Sequence, residues 1–97
     1  MLSQQLNEAG YFPILWAPAE LGTTYVRPGA RGVLRVFVPA HRAELELYTG
    51  PLAAGELRYR GPVPPEAELR KLLAGDFSWL PRAHAHYRAA AVMAHAA

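Results

Sequence analysis

Ninety-seven residues, 52% of them hydrophobic and 19% charged, fit one globular domain spanning 1–97. A chain of this size buries roughly 60 to 70% of its unfolded surface, enough for one core and no separate catalytic domain. The absence of cysteine removes disulfides, thiolate zinc sites and a cysteine nucleophile together, and the net charge of +2 is too small to demand an anionic partner.

The N-terminal ten residues hold neither a basic cluster nor an apolar run of signal-peptide length, and no stretch approaches the roughly 18 to 20 apolar residues of a membrane helix. A cytoplasmic protein without membrane attachment is therefore expected. Arginine carries almost all the positive charge and Lys71 is the only lysine, a bias that reads as GC-rich bacterial or bacteriophage coding.

In chain order, residues 2–9 predict a short helix with Ser3 as N-cap and Gly10 as its stop. Residues 11–16 read as a strand, at an edge or bent, because Pro13 donates nothing to a ladder. Residues 23–61 then alternate apolar and polar positions between turn residues, the pattern of a four-strand antiparallel meander. A hairpin about 39–42 sets Val38 opposite Ala43, Val36 opposite Leu45, Arg35 opposite Glu46 and Leu34 opposite Leu47. The next hairpin sets Leu47 opposite Leu57, Glu46 opposite Arg58, Leu45 opposite Tyr59 and Glu44 opposite Arg60. Leu34, Val36, Val38, Leu45, Leu47, Leu57 and Tyr59 then line the core. Arg35, Phe37, Glu44, Glu46, Tyr48, Arg58 and Arg60 line the other face, and a one-residue slip would bury their charges. The first hairpin, through 28–32, is expected to leave Val26 on the core side and Tyr25 near Arg35.

Residues 65–74 predict a helix with Pro65 at its first position, Glu66 and Glu68 in the first turn, Arg70 and Lys71 near its end and Gly75 beyond. Leu69, Leu72 and Leu73 form its buried side. A further helix, capped by Asp76 or Ser78, is expected from about residue 79 onward. The fold expected is thus α+β: an antiparallel meander of four to five strands, a short N-terminal helix, and two C-terminal helices packed on one face.

Three histidines near the C-terminus invite a metal reading that helical geometry weakens. His84 and His86 would point about 160° apart, and His84 and His95, though on one face, would lie roughly 16 Å apart. No metal and no cofactor are expected. Ser78 precedes His84 by six residues without an acidic orienter, and His41 with Arg42 falls in an expected turn, so no catalytic machinery is legible and a non-enzymatic protein is expected.

Two kinds of binding surface remain. Trp16 and Trp79, with Tyr87, Arg88 and Met93 of the C-terminal helix, suit contact with another protein or a second copy, since buried aromatics and arginine dominate binding energy. An accessory or regulatory interaction module is the leading expectation. The alternative is a small nucleic-acid-binding protein in which Tyr25 and Tyr48 stack on bases while Arg35, Arg58 and Arg60 meet phosphates. Glu44 and Glu46, expected between those arginines, weigh against it by forming a paired ladder.

Overall fold

The computed structural model describes residues 2–30 and 32–80. Helix α1 spans Leu2–Glu8, followed by strands β1 (Phe12–Ile14), β2 (Gly22–Gly29), β3 (Gly32–Pro39), β4 (Glu44–Gly50) and β5 (Glu56–Pro62), a 3₁₀ turn over Leu52–Ala54 between β4 and β5, and helix α2 (Glu66–Leu73). The five strands form one antiparallel sheet in chain order, β1 to β5, so every strand pairs with its neighbour in sequence. The second C-terminal helix expected from the sequence lies outside the described residues.

Both helices end as their glycines predict. Gly10 at φ 92° and Gly75 at φ 84° reverse the chain, and the amide after each reaches back to the last turn, Tyr11 to Leu6 at 2.9 Å and Asp76 to Lys71 at 2.9 Å. This is the Schellman arrangement, which satisfies carbonyls a helix end would otherwise orphan. Pro65 stands one position earlier than predicted, before the first helical residue, and its carbonyl accepts the Leu69 amide at 2.8 Å.

The helices cover one sheet face. Leu6 of α1 and Leu69, Leu72 and Leu73 of α2 meet Val36, Leu45, Leu47 and Tyr59 in a single buried cluster. Fully burying a leucine side chain is worth roughly 1.5–3 kcal/mol, so this cluster dominates the fold's stability.

The register departs from expectation in three places. Between β3 and β4, Val36 faces Leu47 and Phe37 faces Glu46, a shift of two residues. An even shift preserves which face each residue occupies. It arises because β3 continues through Pro39 to pair with Gly22, and the Ala40 amide donates to the Leu21 carbonyl at 3.1 Å. Between β4 and β5 the same two-residue shift sets Leu47 opposite Tyr59 and Glu46 opposite Arg60, and the ladder then skips Arg58 so that Tyr48 faces Leu57. This bulge takes Leu57 off the core face.

The first hairpin departs by one residue. Gly29 pairs with Gly32 across a two-residue turn, which sets Val26 opposite Arg35 and Tyr25 opposite Val36. The expectation for this hairpin is therefore corrected: Tyr25 packs against the core on the helix side, and Val26 lies on the other face.

Candidate functional site

The sheet face turned away from the helices carries two rows across the strands. Phe12, Val26, Arg35, Tyr48 and Leu57 form one, and Ile14, Thr24, Phe37, Glu46 and Arg60 the other. Arg35 is their centre. Trp16, on the connection after β1, folds over this face so that the Arg35 guanidinium lies 4.8 Å from the Trp16 ring centroid and 4.2 Å from that of Tyr48. Both distances fall within the roughly 6 Å over which an aromatic quadrupole attracts a cation. Arg35 is thus held in a clamp of two ring contacts, while its Nε is buried without a hydrogen-bond partner among the described residues.

Glu46 is fully engaged beside it. Its Oε1 accepts the Tyr48 hydroxyl at 2.6 Å, and its Oε2 faces Arg60 Nε at 3.4 Å. Burial first, then the hydrogen bond to Glu46, pushes the Tyr48 phenol up to about 12. The expected ladder of arginines on both sides of the acidic strand is therefore half present: Arg60 neutralises Glu46 from β5, whereas Arg35 on β3 meets aromatic rings instead.

Several large apolar side chains are in contact with water. Phe12 is 49% exposed, Leu15 fully so at 105%, Trp16 43%, Leu21 57% and Leu52 40%. Four of these five belong to β1 and the connection after it. Single exposed apolar residues are ordinary, whereas a local concentration marks contact surfaces. Trp16 was legible in the sequence as a contact residue, whereas Leu15, Leu21 and the exposure of Phe12 were not. The available signal was the pair Pro13 and Pro18, which keep the stretch between them from forming a long buried strand.

The residues assigned to nucleic-acid contact do not stay together. Arg35, Tyr48 and Arg60 share the outer face, but Tyr25 is on the helix side. Arg58, displaced by the bulge, lies with its guanidinium 4.5 Å from the ring centroid of Phe77, which packs on the core. There it lines an open cleft of about 850 Å³ with Arg27, Leu34, Thr49, Glu56 and Gly75. Arg27 is anchored in that region, since its Nη1 donates to the Leu73 carbonyl at 3.1 Å.

Of the residues assigned to a protein partner, Trp16 belongs to the clamp. Trp79 is half-buried against the core and its indole N–H donates to the Asp76 carbonyl at 2.7 Å, so it acts as a strut for the chain after α2. Tyr87, Arg88 and Met93, together with His84, His86 and His95, lie outside the described residues. Among the described residues no group of three histidine, cysteine or carboxylate side chains converges as metal ligands would, and no helix is long and apolar enough to cross a membrane. Comparison of the chain with protein-family models, with curated proteins and with solved structures returns no match.

Proposed function

We propose that this chain is a single-domain, non-enzymatic interaction module, an accessory or regulatory cytoplasmic protein that binds another protein or a second copy of itself. The observation that carries the reading is the run of exposed apolar side chains Phe12, Leu15, Trp16 and Leu21 on β1 and the connection after it, of which Trp16 lies against the Arg35 guanidinium. Exposed aromatics around a fixed arginine have the composition of a binding hot spot. The segment from residue 79 onward, expected to be helical, would supply a second contact through Tyr87, Arg88 and Met93.

Nucleic acid is the weaker alternative. Only three of its five candidate side chains share a face, and one of those, Arg60, is paired with Glu46. A phosphate ligand also requires uncompensated cations, and its affinity falls steeply with salt.

Leu15→Ser is the sharpest test, because a fully exposed side chain should change folding stability by no more than about 0.5 kcal/mol. Sedimentation velocity, with isolation of the tagged protein from its native host, should find a self-complex or a bound protein that survives a rise from 50 to about 300 mM salt and is lost in Leu15→Ser. Retention of the same complex by the variant, or recovery of a nucleic acid whose binding disappears across that salt range, rejects the reading.

A further inference from the structure

The geometry points to Arg35 as the receptor for a carboxylate that a partner protein presents between apolar side chains. This rests on the interaction-module reading above and names the chemistry the partner must carry. The guanidinium lies 4.8 Å from the Trp16 ring centroid and 4.2 Å from that of Tyr48, so two aromatic contacts restrict its position before any ligand arrives. Of its nitrogens, Nε alone is sealed from solvent without a partner.

Glu46 and Glu44, the acids of the neighbouring strand, are engaged elsewhere. Both oxygens of Glu46 are engaged, by Tyr48 and Arg60, and Glu44 faces Arg42 at 3.8 Å. The planar guanidinium fork matches a carboxylate with two parallel hydrogen bonds, and prior restriction lowers the entropy lost on binding. The backbone beside it is Gly55, where an added Cβ would stand 3.5 Å from Arg35 Nη2 and 3.1 Å from Tyr48 Cβ. The lack of a side chain there keeps the approach to Nη2 clear. The surroundings select a protein segment over a polyphosphate chain. Trp16 beside the guanidinium and Phe12 in the same cross-strand row offer apolar contact, whereas a row of phosphates would run onto Glu46 and Glu44.

A random twelve-residue peptide display library, selected against the full chain, tests this directly. Wild type should enrich aspartate or glutamate flanked by aliphatic or aromatic residues, and changing the acid of a selected peptide to its amide should weaken binding at least tenfold. Arg35→Lys keeps the charge but loses the planar fork, and it should erase the preference for acid over amide while Arg60→Gln keeps it. Because Arg35 variants could lose structure, Gly55→Ala provides an independent arm: it crowds Nη2 with all charges intact and should weaken the acidic peptide several-fold more than the amide one. Selected peptides that lack acids, or that bind Arg35→Lys with unchanged preference, overturn the carboxylate assignment and leave the module reading standing. A twelve-nucleotide oligothymidylate bound in an Arg35-dependent manner overturns both, as phosphate would then be the ligand.

Discussion

Leu73 contributes a main-chain oxygen to the packing of α2 as well as a side chain. Its carbonyl, at the end of the helix where no intrahelical donor remains, accepts the buried Tyr11 hydroxyl at 2.7 Å and Arg27 Nη1 at 3.1 Å. Tyr11→Phe should therefore cost only about 1 kcal/mol, because Arg27 still serves the oxygen. Combining it with Arg27→Met should cost more than the two single changes together, since the carbonyl is then orphaned; urea denaturation of the four proteins of that cycle measures the excess. The two shielded phenols also set an alkaline limit. Burial raises Tyr11 above the ordinary tyrosine range, and Tyr48 titrates near 12 instead of 10. Below about pH 10 the folded and unfolded chains hold these protons equally and stability is unaffected. From there to about pH 12 the unfolded chain releases them first, so stability falls as pH rises. Tyr48→Phe should shallow that fall, read as urea midpoints between pH 8 and 11.5. At this scale the sequence was only partly legible. Trp16, Arg35 and Tyr48 were each visible as candidates, but for two different functions, because nothing in their spacing says that the chain after β1 folds back over β3.

Strand existence was legible from alternation, and the edge position of β1 from Pro13. Helix α2 was legible nearly to the residue from Pro65, its first-turn acids and Gly75. Hairpin register was not. Two-residue shifts leave each side chain on the same face, so the core pattern of Val36, Leu45 and Leu47 is satisfied in either pairing and cannot choose between them. The bulge at Arg58 has no signature in composition, and it moves two residues: Leu57 leaves the core face, and Arg58 leaves the outer one for the ring of Phe77. If that stack holds β5 to the segment after α2, a double-mutant cycle of Arg58→Ala and Phe77→Ala should give a coupling of about 0.5–1 kcal/mol. Thermal unfolding reads it, since 1 kcal/mol corresponds to roughly 4–8 °C in a domain of this size. Arg60→Ala, on the opposite face, should not couple to Phe77.

For the whole molecule, the docking of both helices on one face decides stability. Leu72 is fully buried between α2 and the sheet, so Leu72→Ala should cost about 2–5 kcal/mol. That is a large part of the roughly 5–15 kcal/mol that holds a domain of this size together, and the loss would appear as a lower urea midpoint with an unchanged slope. By itself, the sequence determined what depends on near neighbours: the α+β class, the positions of the strands and of α1 and α2, the stops of those two helices, and the sorting of most side chains into two faces. Tertiary structure alone decided the pairing offsets, the transfer of Tyr25 and Arg58 to the helix side, and the clamp on Arg35. The physical reason is range. Periodicity and capping act over a few residues along the chain, whereas register, bulges and stacking depend on which distant backbone groups find partners once the sheet has closed.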